Sequence, residues 1–195
     1  MGTTEEEQMG IDDDYEGLDD EFLLKARPVR EVVGLPKELW SEVAPGLWQG
    51  GTSDWDTCFE VRRSPKPAIT AKHFDTVITA YAWANPCDWE VKELRYGYYD
   101  SDRPDWHKEV DFETIFHLVD IAYADWKKGK KILSRCQAGL NRSSIFTALI
   151  LMKDGYAAQD AINLIREKRS PWALFNKNFE KWLLEQDAAP EERGS

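Results

Sequence analysis

Cys136 and Arg142 stand six residues apart, separated by Gln137, Ala138, Gly139, Leu140 and Asn141. Ile132-Leu133-Ser134 reads as a short strand before them, and Ser143 to Met152 reads as a buried helix after them. A strand therefore delivers a cysteine into a tight loop that runs straight into a helix N-terminus. The backbone N–H groups of such a loop converge on one point, and the helix start adds unpaired donors and a positive dipole end. The point is a seat for an anion. Across it, the planar Arg142 guanidinium can grip two oxygens of a bound dianion while the Cys136 sulfur attacks from below. The same field favours thiolate over thiol. Gly139 supplies the unusual backbone angles a tight turn needs. A merely structural cysteine ahead of a core helix would need neither the polar loop nor the arginine.

The elements that must hold this loop follow from the patterning. Val43 to Gly51 reads as two short strands around a Pro45-Gly46 turn. Phe74 to Tyr81 contains the β-branched run Val77-Ile78-Thr79, which suits a buried strand, and Leu94 to Tyr99 is a further strand candidate. Apolar residues recur at helical spacing from Val110 to Trp126. Two more helices are expected over 157–168 and 176–185. Alternation of this kind predicts a three-layer α/β fold, with a central, mostly parallel sheet of four or five strands flanked by helices.

The segment from Cys136 to Ser143 resembles the signature of the cysteine-dependent dual-specificity branch of the protein tyrosine phosphatases, His-Cys-x-x-Gly-x-x-Arg-Ser. The likeness extends over about residues 40–186, from the opening strand pair at 43–50 to Asn176-x-x-Phe179 near the end. It implies a phosphocysteine intermediate, phosphate binding by residues 137–142, and a general acid on the loop after the strand that precedes the long helix. Matching strand ends places Asp102 at the acid position, with Asp100 and Asp105 as close rivals. Ser143 would hydrogen-bond the sulfur; its other reading is a helix N-cap. The chain departs from the family pattern at Arg135, where histidine usually precedes the cysteine. Arg135 brings positive charge to that place but not the geometry of an imidazole.

Composition sets the limits on function. The net charge is −11, and ten acids with no Lys or Arg lie in residues 1–24, so the rest is nearly neutral. Residues 1–27 are expected to be a disordered acidic tail, 28–186 a phosphatase domain and 187–195 a flexible C-terminal tail. Tyr15, inside an acidic run, is a candidate phosphopeptide mimic or simply part of that tail. A nearly neutral domain argues against nucleic-acid binding, and with it against the alternative of an RNA 5′-triphosphatase, which Asn141-Arg142 otherwise resembles. An uncharged 137–141 segment argues against highly phosphorylated lipids. A silent phosphopeptide reader is the alternative from another class, but such proteins lose the cysteine or the arginine, and both are kept here.

No membrane span is expected, and three cysteines suggest free thiols in a reducing, cytoplasmic setting. Cys58 and Cys87 are either ordinary thiols or partners for Cys136 under oxidation. His73, His107 and His117 have no ligand spacing with the cysteines, so neither metal nor cofactor is expected. The expected partner is a phosphorylated protein or peptide. Oligomeric state has no signature in the sequence.

Overall fold

A computed structural model describes residues 36, 38–52 and 69–187. Tyr15, Cys58 and the expected tails lie outside them, except for Asp187. That residue ends the last helix, and its carboxylate accepts from Ala158 N at 2.6 Å.

Five strands form one sheet: β1 (Trp40–Ala44), β2 (Leu47–Gly50), β3 (Thr76–Thr79), β4 (Lys92–Arg95) and β5 (Ile132–Arg135). Their order is β1-β2-β5-β3-β4; β1 is antiparallel to β2 and every other pair is parallel. Gly50 of β2 and Thr79 of β3 both lie in register with Arg135, the last residue of β5. The three central strands thus end level. Cys136 emerges where their carboxyl ends meet, the usual seat of a ligand in an open parallel sheet.

Among the described residues the helices are α1 (Phe112–Trp126), α2 (Arg142–Lys153), α3 (Ala158–Lys168) and α4 (Lys177–Asp187), with one 3-10 turn at Trp106–Glu109. All four helices contribute to one apolar cluster on one face of the sheet. Side chains of β5 alternate between faces: Ile132 enters that cluster, while Leu133 joins Ile69, Phe74, Val77 and Val91 in a second one on the other face. Every residue of α2 from Arg142 to Leu151 is buried. That is why its sequence is apolar on nearly every side. The α/β fold with a mostly parallel sheet is therefore as the sequence predicts.

One element is shifted. The strand expected over 94–99 forms instead over Lys92–Arg95. Tyr96 N still donates to Thr79 O at 3.1 Å, and the chain leaves the ladder after it, where Gly97 lies against the backbone of Ala82 and a Cβ would come within 2.7 Å. The tyrosines thereby serve the site rather than the sheet.

Candidate active site

The loop from Gln137 to Asn141 is held from outside by its carbonyls. Thr52 N donates to Gln137 O at 3.0 Å, and Arg169 Nη2 donates to Ala138 O at 3.3 Å. Gly139 O accepts from Arg169 Nε at 3.2 Å and from Gln49 Nε2 at 3.1 Å. Leu140 O accepts from Ser144 Oγ at 2.6 Å and from Leu174 N at 2.9 Å. In a trans peptide the next N–H points opposite the carbonyl. Four outward carbonyls therefore turn the amides of Ala138, Gly139, Leu140 and Asn141 toward the concave side. Gly139 has φ +73°, and a Cβ there would meet Gly50 C at 2.2 Å, so glycine is required twice over.

Two of these supports could not be read from local pattern. Arg169, 6% exposed, also donates to Glu38 O at 2.7 Å, so its charge is satisfied largely by carbonyls. Burial pulls its pKa down to about 10, against the opposing pull of Cys136 and Glu38. Leu174 has φ +58°, a left-handed conformation for a residue with a Cβ, and it is fully buried. Such strain persists only where surrounding contacts fix it.

Cys136 is 2% exposed, and its Sγ lies 3.4 Å from Ser143 Oγ. Ser143 falls inside α2; the N-cap position belongs to Asn141, whose side chain makes no capping bond. Arg142 Nη1 donates to Tyr98 O at 3.0 Å, while the Tyr98 hydroxyl donates back to Arg142 O at 3.2 Å. Burial, reinforced by Cys136, pushes the Tyr98 phenol well above its ordinary range, so it remains a neutral donor. The Arg142 guanidinium lies 5.2 Å over the Tyr81 ring. Its Nε is buried with no hydrogen-bond partner among the described residues.

Arg135 does not serve the cysteine. It faces the other side of the sheet, where Nε donates to Thr79 Oγ1 at 2.9 Å and Nη2 to Glu93 Oε1 at 2.9 Å and Asn85 O at 2.6 Å. Successive strand residues point to opposite faces, so the residue before Cys136 must turn away unless the chain twists. Burial pushes Glu93 up, but Thr79, the Cys87 amide and Arg135 more than offset this, and its carboxyl sits below the ordinary range. Cys87 packs on the same face as Glu93, and burial pushes its thiol up to about 11. Cys87 and Cys136 are both free and belong to different clusters.

The three candidate acids occupy different surroundings. Asp100 accepts from Asn141 Nδ2 at 3.2 and 3.0 Å and from Asn176 Nδ2 at 3.0 Å. Asp105 pairs with Arg103 at 3.4 Å. Asp102 is exposed, and no described residue hydrogen-bonds its carboxylate; its main-chain oxygen accepts from Asn178 Nδ2 at 2.6 Å. Of the histidines, Nδ1 of His73 accepts from Thr70 N at 3.1 Å. Among the described residues, no three His, Cys, Asp or Glu side chains come together as a metal site.

Comparison with known proteins gives the chain its family. Residues 61–188 match the family described as dual specificity phosphatase, catalytic domain, and the chain belongs to that family. A viral relative, named as a tyrosine phosphatase (123R of Invertebrate iridescent virus 6), is 42% identical over 79 residues. That match takes in 37% of this chain and 56% of the viral protein's length. Among solved structures, human DUSP28 superposes with a TM-score of 0.58 at 18% identity, over 77% of this chain and 94% of its own. Tk-PTP in its active form gives 0.57 at 19% identity, over 81% and 99% respectively. Human tyrosine phosphatase-like serine/threonine/tyrosine-interacting protein gives 0.55 at 22% identity, over 76% and 95%. These structures share the fold.

Proposed function

We propose that the chain is a metal-independent phosphoprotein phosphatase that hydrolyses phosphotyrosine, with phosphoserine and phosphothreonine as further substrates. The observation that carries this reading is the orphaned Arg142 Nε beside inward-turned loop amides. A buried donor without a partner costs about 1–3 kcal/mol, so a site that keeps one is built to receive an acceptor. With Nη1 held by Tyr98 O, Nε and Nη2 present one edge of the guanidinium to two oxygens of a phosphate.

The Cys136 thiolate attacks phosphorus, and the bond from phosphorus to the ester oxygen breaks as Asp102 gives that oxygen its proton. The Asp102 carboxylate then takes a proton from water, whose oxygen attacks the phosphocysteine. Phosphate leaves and the thiolate is restored, with the Ser143 hydroxyl 3.4 Å away to hydrogen-bond the departing sulfur. Arg142 and the amides carry the charge on the equatorial oxygens in both steps, the task a metal performs elsewhere. An oxidisable thiolate nucleophile belongs in a reducing compartment, and we assign the protein to the cytoplasm. No helix of the described residues is long and apolar enough to cross a membrane.

The test is phosphate release from an aryl phosphate in EDTA by the native protein and by Cys136→Ser. Turnover that survives EDTA and vanishes in the variant is the expected result. Tight phosphopeptide binding without turnover by the native protein would sink the hydrolase reading and leave a phosphopeptide reader.

A further inference from the structure

Two asparagines on separate elements converge on one carboxylate beside the phosphate loop. Asn141, next to Arg142, donates both contacts from Nδ2 to Asp100, and its Oδ1 accepts from Asn176 N at 3.2 Å. Asn176, just before α4, closes the triangle by donating to Asp100 Oδ1 and also to Ser101 O at 2.9 Å. Asn178 continues the row, donating from Nδ2 to Asp102 O at 2.6 Å and Arg103 O at 3.3 Å. Two side-chain amides, of Asn176 and Asn178, thus hold the backbone around Asp102, and a third, of Asn141 in the loop that would hold the phosphate, holds the Asp100 carboxylate.

We propose that Asp100 is a positioning residue. It clasps the Asp102 loop to Asn141, so that the proton donor is held in register with the bound phosphoryl group. The proposal rests on the phosphatase reading given above. The clasp occupies Asp100 on both sides: Oδ1 accepts from Asn141 and Asn176, and Oδ2 from Asn141. Asp102 has the opposite arrangement: its main-chain oxygen is held by Asn178, and its exposed carboxylate is hydrogen-bonded by no described residue. Asn141 forgoes capping α2 to make this contact. Ser144 N already donates to Asn141 O at 3.0 Å, so it is the Arg142 and Ser143 amides at the very start of the helix that are placed to meet an anion.

The experiment compares phenyl phosphate, whose leaving oxygen needs a proton, with 2,4-dinitrophenyl phosphate, whose leaving oxygen does not. The native protein, Asp100→Ala, Asp100→Asn and Asp102→Asn are assayed across pH, together with inhibition by tungstate as a phosphate mimic. Asp100→Ala should lose about 10–100-fold in kcat on phenyl phosphate, and under about threefold on the dinitrophenyl ester. Tungstate inhibition should stay within about twofold of native, because the phosphate loop keeps its other supports. Asp100→Asn, which retains an acceptor oxygen, should recover part of the loss and keep the basic limb of the pH profile. Asp102→Asn should lose that limb.

If Asp100→Asn loses the limb instead, Asp100 is the acid and the proposal fails. It fails equally if both esters slow alike, if tungstate binding weakens with them, or if Asp100→Ala changes nothing. A native protein that turns over neither ester overturns the phosphatase reading as well. An active native protein with an indifferent Asp100→Ala variant overturns only the clasp.

Discussion

The phosphate loop and the Asp102 loop sit side by side but are built in contrasting ways. The first is mostly buried and braced by buried groups from three other segments: Gln49, Arg169 and Leu174. The second is exposed at Asp102 and Arg103 and is held by side-chain amides at 100–103, with the buried Trp106 ring 4.4 Å from Phe179 anchoring its far end. The contrast separates two tasks. Anion binding is preorganised before any ligand arrives, which is where electrostatic stabilisation has its greatest effect. Under the proposed reading, proton delivery from Asp102 depends on a few polar contacts near solvent, so it is the more readily tuned of the two.

Substitutions can break this comparison at graded strength. Gly139→Ala should have the largest effect, because the added methyl meets the Gly50 backbone and φ is positive. Weakening of tungstate inhibition by at least about 100-fold, with a lowered melting temperature, is expected. Arg169→Met leaves the Ala138 and Gly139 carbonyls short of donors, and roughly a tenfold loss in kcat/KM should follow. If that variant matched the native enzyme, the bracing account of the loop would be wrong.

Arg135→Met tests the opposite face of the sheet. Removing one of the two guanidinium partners of Glu93 should cost about 1.5–3 kcal/mol in urea unfolding, with kcat/KM of the folded fraction within about twofold of native. A large fall in kcat/KM would mean that Arg135 reaches the thiolate after all. The smallest effect concerns Asp125. Burial pushes its carboxyl up, but Lys92, Lys130 and Thr76 outweigh this and bring it down to about 2. Its folded-state value lies below the unfolded value of about 3.9. Its contribution is therefore complete above that value and is lost as pH falls through about 2. Urea midpoints at pH 7, 4 and 2.5 should fall more steeply for native protein than for Asp125→Asn.

What the sequence makes legible follows the same division. The phosphate loop is one contiguous segment between a strand and an apolar helix, so residue types and spacing reveal it without any long-range information. Its braces come from Gln49, 90 residues away from Gly139, and from Arg169, 30 away. No periodicity marks such pairings. Asp100, Asp102 and Asp105 look alike in sequence because what distinguishes them is supplied by Asn141, Asn176 and Asn178. The β4 boundary was obscured by tyrosines whose strand-like composition reflects packing around Arg142 and Phe146. At Arg135 the charge is visible in the sequence, but its direction is set by the alternation of β5.

That direction also constrains how the chain can vary. Arg135 lies behind the nucleophile and shares its bonds with Thr79, Asn85 and Glu93. A histidine at 135 would remove one of the two guanidinium partners of the half-buried carboxylate at 93 and leave Arg95 as the other, so positions 93, 95 and 135 should change together across related sequences. Chains with uncharged residues at both 135 and 95 are expected to lack an acid at 93, a correlation that sequence comparison can test without an assay.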